Sequence, residues 1–117
     1  MKIPRADEKS KELFMSFLPS DSRITVRPMF GNLSAFVNGN MFFGVFGNDL
    51  FVRLPDDHRD ELLRKKAASL LEPMKGKPMK EYVLIPQAWR TEPETVRLWV
   101  SRSLDWASKL PAKKTKK

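Results

Sequence analysis

The sequence predicts a single α+β domain in which helices pack on an antiparallel sheet. At 117 residues, the chain has the commonest length of one domain. Three segments show the amphipathic periodicity of helices, and shorter segments between them alternate apolar and polar residues as strands do. The resulting order, α-β-β-β-β-α-β-α, is typical of α+β folds. We expect residues 1–110 to form this domain and residues 111–117 to be a basic disordered tail.

The first helix is predicted over Pro4 to Leu18, where apolar residues recur at helical spacing. Arg23 to Arg53 is predicted to form a meander of four antiparallel strands. The Asn-Gly pair in Asn38-Gly39-Asn40 supplies the left-handed backbone that a tight hairpin requires. Gly47-Asn48-Asp49 makes the next turn. Pro28 lacks an N–H, so we expect it to close the first strand or to lie at a bulge.

Regular alternation through this hairpin predicts two apolar sheet faces. One face would carry Leu33, Ala35, Val37, Met41, Phe43 and Val45, and the other Phe36, Phe42 and Phe46. Gly44 inside its strand indicates a bulge or a close approach by another element. Two interpretations remain open: the helices wrap both faces, or they leave part of one face as a dimer or partner interface.

The second half of the chain supplies two helices and one strand. A helix is predicted from Pro55 to about Leu71, followed by a loop over Glu72 to Pro78. A strand follows over Lys80 to Ile85. The last helix is predicted to begin near Thr91, because Thr91-Glu92-Pro93-Glu94 fits a capping box, and to end at Pro111.

The basic residues suggest a polyanionic partner. The chain has 22 Lys and Arg against 14 Asp and Glu, which gives a net charge of +8. Non-specific nucleic-acid binding would rely on such side chains. The alternative is a solvated helix face plus a solubilising tail, since no aromatic stacking platform or DNA-reading motif accompanies the lysines. The candidate contacts are Arg64, Lys65, Lys66, Lys75, Lys77, Lys80, Lys113 and Lys114.

Catalytic and metal chemistry find little support in the sequence. The absence of cysteine excludes disulfides, thiol nucleophiles and thiolate metal sites. The single histidine, His58, lies in the acidic segment Asp56 to Glu61, where the helix dipole already accounts for the carboxylates. No nucleophile motif or phosphate-binding glycine loop is present. We therefore expect no enzyme activity, cofactor or metal. No signal-peptide core or membrane-spanning run is found, so a soluble cytoplasmic protein is expected.

Several short motifs together resemble a known family. They are Arg27-Pro28-Met29-Phe30-Gly31, the stretch from Phe36 to Phe42, Leu50-Phe51-Val52-Arg53 and the strand Tyr82 to Pro86. In order and spacing they are similar to the N-terminal domain of the TfoX/Sxy competence regulators, over about residues 5–110. The chain departs from the usual pattern at Asn32, where many relatives have Gly, and at Arg53, where Lys is usual.

The resemblance implies a fold like that of secretion chaperones, often seen as a dimer. Full-length relatives act with the cAMP receptor protein to switch on competence genes and carry a second, C-terminal domain. We expect this chain to be a stand-alone N-terminal domain. Its predicted function is that of a non-enzymatic regulatory or protein-interaction module, a homodimer with a transcription-factor partner. The motif residues carried over are Met29, Phe30, Gly31, Asn38, Gly39, Arg53, Tyr82 and Pro86.

Overall fold

The computed structural model of the chain describes residues 5–29, 31–65, 68–74 and 77–111, with the backbone alone at 29, 72–74 and 77–80. The helices are α1 (Glu8–Phe17), α2 (Asp56–Leu63) and α3 (Pro93–Ser108), with a 3₁₀ helix over Gln87–Thr91 before α3. The strands are β1 (Ile24–Met29), β2 (Asn32–Val37), β3 (Asn40–Phe46), β4 (Asp49–Arg53), β5 (Ser69–Met74) and β6 (Lys77–Leu84). No helix among these residues has the length and apolar character needed to cross a membrane.

The six strands form one antiparallel sheet in the order β1-β2-β3-β4-β6-β5. The predicted α+β class and order of elements are therefore confirmed, with one additional strand. The prediction that the second helix runs to Leu71 is wrong, because α2 ends at Leu63 and Ser69–Met74 forms β5. Leu70 pairs with Val83 of β6 in this strand. Pairing with the next strand along the chain overrides the helical spacing of the leucines.

All three helices pack on the same face of the sheet in the described part of the chain. Their buried side chains meet those of the central strands in one core; Phe14 of α1, for example, stacks on Phe43 of β3 with ring centroids 4.9 Å apart. The helix side chains in this core are Phe14, Phe17, Leu62, Val96, Trp99, Val100, Leu104 and Ala107. One face of each helix is thus buried, as the sequence periodicity predicts.

A bulge at Phe42 changes which side chains share a face. Ala35 pairs with Phe43 and Phe36 pairs with Met41, so Phe42 is the extra residue. Phe42 and Phe43 are consequently both fully buried in the helix-side core. The prediction that placed Met41 with Phe43, and Phe42 with Phe46, is wrong for this reason. The hydroxyl of Ser103 in α3 donates to the Phe42 carbonyl at 2.7 Å, so the helix supports the bulge.

Gly44 marks a close approach, one of the two predicted alternatives. A Cβ at this position would lie 2.5 Å from Cζ of Phe51. Phe51 is its register partner on β4, so the close neighbour is a side chain of the adjacent strand. The glycine leaves the space that the Phe51 ring occupies.

The ends of two helices differ from the prediction. α1 begins at Glu8, after Asp7, whose carboxylate accepts the Ser10 N–H at 2.7 Å. This bond holds the pKa of Asp7 below its usual value. The capping box at Thr91 is not formed, because Thr91 ends the 3₁₀ helix and α3 begins at Pro93. Proline suits the first helical position, since its missing N–H would have no partner there.

Candidate functional site

One face of the sheet carries none of the described helices, and its apolar side chains form a second cluster. We call this side of the sheet the helix-free face, and define it by the seven residues named in the next two sentences. Phe51, Leu71 and Tyr82 are buried there, and Met41, Phe46 and Leu84 are partly buried against them. Phe36 belongs to the same face because it pairs with Met41, and it is also half-buried. The predicted second apolar face therefore exists, and aromatic rings dominate it.

The rings of the helix-free face are fixed against each other. Phe51 fills the space above Gly44 and meets Tyr82 edge to face, with centroids 5.7 Å apart. Arg27 lies over the Phe36 ring at 5.5 Å. The most exposed large apolar side chains among the described residues, Met15 and Leu98, are 51% exposed and lie on helices instead. The helix-free face is thus a well-packed surface with partly buried rings at its margins.

Arg53 lies at one end of this face, directly opposite Tyr82 in the strand register. Its guanidinium carbon is 5.7 Å from the centre of the Tyr82 ring and 5.4 Å from that of Trp106 in α3. One terminal nitrogen donates to both carboxylate oxygens of Glu81, each at 3.2 Å. We call Arg53, Glu81, Tyr82 and Trp106 the Arg53 cluster. It brings together two of the motif residues, and the sequence interpretation missed Glu81.

Burial and the neighbouring charges determine the protonation of Tyr82. Removal from solvent raises the pKa of the Tyr82 hydroxyl above its ordinary value of 10.0; Arg53 acts in the opposite direction and Glu81 in the same one. The hydroxyl lies 3.5 Å from the Met41 carbonyl oxygen, which is long for a hydrogen bond. Tyr82 is therefore a neutral, buried ring at physiological pH.

The motif residues of the β2–β3 turn hold the end of α3. Asn38 and Gly39 both have positive φ, 52° and 78°, as the tight turn requires. The Asn38 amide lies 3.4 Å from the Ser108 carbonyl, and the Asn40 amide donates to the Pro111 carbonyl at 3.1 Å. These contacts satisfy the carbonyl of Ser108, the last residue of α3, and that of Pro111 just beyond it, so the turn has a structural role.

The remaining motif residues lie outside the helix-free face or outside the described part of the chain. Gly31 has a φ of 82°, and a Cβ there would lie 2.7 Å from Cγ of Arg5. Pro86 is buried, and its carbonyl accepts the Trp89 N–H at 3.0 Å. Phe30 and the side chain of Met29 are not among the described parts. Gly31 and Pro86 thus shape the backbone.

Asn32 is a structural residue whose contacts the sequence interpretation missed. Its Oδ1 accepts the backbone N–H of Ala6 and of Gly47, both at 2.9 Å, and the residue is only 6% exposed. It thereby joins the segment before α1 to the β3–β4 turn. The one sequence signal was its departure from the Gly that is usual in the family pattern.

The candidate nucleic-acid contacts fall into separate groups. Arg64 and Lys65 are exposed just after α2. Lys77 pairs with Met74 at the far end of β5, a strand of six residues that spans about 20 Å. Lys80 also lies on β6, and Lys66, Lys75, Lys113 and Lys114 lie outside the described residues. The chain trace thus places the length of a strand between Lys77 and the group of Arg64 and Lys65, with Lys80 partway along β6 between them.

The acidic start of α2 is occupied by ion pairs. Arg59 pairs with Asp56, and Arg102 of α3 pairs with Glu61 at 3.1 Å. His58 is half-buried on the same helix. Within the described ranges, no three His, Asp or Glu side chains come together as metal ligands. The carboxylates here serve the start of the helix and its contact with α3.

The sequence matches the TfoX N-terminal domain over residues 12–107, from within α1 almost to the end of α3. The match therefore includes every strand of the sheet and all four residues of the Arg53 cluster. Comparison with individual curated proteins gives no match. With the family pattern extending over nearly all of the fold, the chain belongs to the TfoX N-terminal domain family.

Proposed function

We propose that this chain is a non-enzymatic regulatory module that acts by protein contact in the cytoplasm, in transcriptional regulation of competence-type genes. In this proposal it self-associates through the helix-free face and engages a transcription factor. Its membership of a regulatory, non-catalytic family supports the proposal. The observation that carries it is the aromatic surface on the side of the sheet away from the helices.

The composition of the helix-free face suits an interface. A sheet normally buries each apolar face against another layer, and here the described helices occupy one side. Protein interfaces are enriched in aromatic residues, Met and Arg. The helix-free face has four aromatic rings and Met41, with Arg27 and Arg53 beside them. A second apolar layer would bury the remaining exposed part of the rings at the margins.

The outer edge of β1 is less suited to partner binding. The Ile24 N–H bonds to the Asp21 carbonyl and so points away from β2. Residues 26 and 28 have the same orientation, because backbone groups alternate along a strand. Pro28 has no N–H, which leaves Val26 as the one outward donor of this strand. An added strand would therefore find few donors at the β1 edge of the sheet.

Light scattering on the full chain tests the proposal. We expect the wild-type mass to be that of a dimer and the Phe46→Glu variant to be monomeric, because a charge would be buried in the interface. Leu98→Glu is the matched control, since Leu98 is exposed on α3. Circular dichroism checks that both variants fold. A wild-type monomer at every soluble concentration, or equal dissociation of both variants, would refute self-association through this face.

Adding duplex DNA to the same samples tests the alternative, a small nucleic-acid-binding protein. That function requires binding that weakens steeply with salt and on removal of residues 113–117. Binding of this kind by the Phe46→Glu variant as well would favour the alternative, because the helix-free face would then be dispensable.

A further inference from the structure

A groove of about 590 Å³ lies along one side of α1, where Leu33 of β2 lines it from the sheet. We call it the α1 groove. Leu33 packs against the helix-side core, so the groove lies on the opposite side of the sheet from the aromatic rings. Its lining residues from α1 recur at helical spacing: Glu8, Lys11, Glu12, Met15 and Ser16. Self-association through the helix-free face would therefore leave this groove accessible to a partner.

The middle of the α1 groove is apolar and reaches solvent. Met15 is 51% exposed, and Leu33 is only partly buried against the core. Pro28, the register partner of Leu33, is exposed on β1 and continues this surface to the edge of the sheet. An apolar side chain from a partner would displace water from these residues. The flexible thioether of Met15 suits such a contact, because it adapts to the shape of what it packs against.

The rim of the α1 groove is acidic. Glu8 and Glu12 are both exposed and lie one helical turn apart. Lys11 lies 3.9 Å from Glu8 and offsets that charge. Glu12 takes part in none of the ion pairs among the described residues. Two Glu and one Lys give the lining a net charge of −1, whereas the whole chain carries +8. The groove thus complements a partner that is both apolar and basic.

The shape of the α1 groove suits a docked helix better than an added strand. The neighbouring edge strand, β1, has few outward donors, since Pro28 lacks an N–H. An amphipathic helix needs no such donors, because it binds by inserting its apolar side chains into a groove. The lining from Glu8 to Ser16 spans about 12 Å along α1, which is the length of about two turns of a second helix.

We propose that the α1 groove binds an amphipathic helix of the transcription-factor partner. Apolar side chains of that helix contact Met15 and Leu33, and a Lys or Arg beside them pairs with Glu12. This inference rests on the proposed function and deepens it, because it assigns the surface and the chemistry by which the partner is engaged. The carboxylate on the rim also provides specificity, since it repels an acidic helix of the same shape.

The test is a titration of the full chain with a blocked helical peptide of leucine and lysine, in which the leucines follow helical spacing. In NMR spectra of the methionine methyl groups, Met15 should shift saturably, and Met41 on the helix-free face should not shift. Met15→Ala should weaken binding about fivefold or more, because it removes apolar contact area. Leu98→Ala is the matched control, since Leu98 is equally exposed on α3.

The charge requirement is tested with a second peptide, in which glutamate replaces every lysine. This peptide should not shift Met15, because its side chains would be repelled by Glu12. Glu12→Gln should weaken binding of the lysine peptide about two- to fivefold, as expected for an exposed ion pair. Glu94→Gln, at an exposed position of α3, is the control and should bind as the wild type does.

Four results would overturn the inference: no saturable shift of Met15, equal shifts of Met15 and Met41, equal binding of the two peptides, or wild-type binding by Met15→Ala. The titration is repeated on Phe46→Glu, which should bind as the wild type does because the groove lies on the other side of the sheet. A monomeric wild type whose Met15 signal shifts saturably refutes self-association alone. A dimer that Phe46→Glu dissociates, but whose Met15 signal does not shift, refutes the groove alone.

Discussion

Tyr82 is the residue that reports most directly on the Arg53 cluster, because the chain has a single tyrosine. Tyrosinate absorbance in the ultraviolet therefore titrates this hydroxyl alone. Burial should keep the native pKa above 10.0, and unfolding in urea should return it to about 10. A native pKa equal to the unfolded one would contradict the burial of the ring.

The charges beside Tyr82 determine the direction in which substitutions should shift its pKa. Arg53 lowers the pKa of Tyr82 and Glu81 raises it. Arg53→Gln should thus raise the pKa further, and Glu81→Gln should lower it. A raised folded pKa means that the contribution of neutral Tyr82 to stability is fully present below pH 10.0 and is lost as the pH rises through the folded value. Tyr82→Phe should remove this part of the alkaline loss, as urea midpoints at several pH values would show.

Asn32 offers a second prediction for a single residue. Asn32→Ala leaves the buried N–H groups of Ala6 and Gly47 without this acceptor. We expect the free energy of unfolding to fall by about 2–4 kcal/mol, measured by urea denaturation. Asn48→Ala is the control, because Asn48 is exposed and accepts one bond, from Ser10. Equal stability of the two variants would show that Asn32 does not join the two segments.

Among the elements, the ones predicted correctly depend on local patterns. The buried stripe of α3, which includes Val96, Trp99 and Ser103, follows helical spacing, and the β2–β3 turn follows its Asn-Gly pair. What was not predicted depends on contacts across the fold. Alternation alone cannot show that Phe42 is an extra residue, because its carbonyl partner is a hydroxyl 61 residues away. The leucines of β5 become a strand because β6, the next strand along the chain, pairs with them and is itself held in the sheet by β4.

The same division holds for the Arg53 cluster. Motif resemblance singled out Arg53 and Tyr82 separately, but their adjacency follows from the pairing of β4 with β6. The contribution of Trp106 follows from how α3 crosses the sheet. The sequence did not point to Glu81, because a single acidic residue in a strand does not indicate which side chain it pairs with. The residues of the site were thus partly predictable, and its geometry was not.

The bulge yields a prediction for the β3–α3 contact. Ser103→Ala removes the donor that contacts the Phe42 and Arg53 carbonyls in a fully buried position. We expect a loss of about 1–3 kcal/mol in the free energy of unfolding, measured with urea. Ser101→Ala on the exposed side of α3 should change stability by less than about 0.5 kcal/mol. If Ser103→Ala lowered the free energy of unfolding as little as Ser101→Ala, the bulge would not depend on the Ser103 hydroxyl.

At the scale of the whole molecule, the fold separates two functions of its apolar residues. The helix side holds the main core, which stabilises the domain, and the other side carries the rings that we propose as an interface. Self-association through the helix-free face would place the helices of both copies on the outside. Between Pro28 and Val52, which supply four of the seven residues of this face, the sequence has one charged residue, Asp49, and Arg27 and Arg53 lie beside the face.

Hydroxyl-radical footprinting at increasing protein concentration tests the central claim most directly, because it measures the exposure of individual side chains. Met41 lies on the helix-free face, and Met15, 51% exposed on α1, is the internal control. If two copies meet on this face, oxidation of Met41 will fall as the concentration rises, while that of Met15 will stay constant. Parallel oxidation of both methionines at every concentration would contradict the claim.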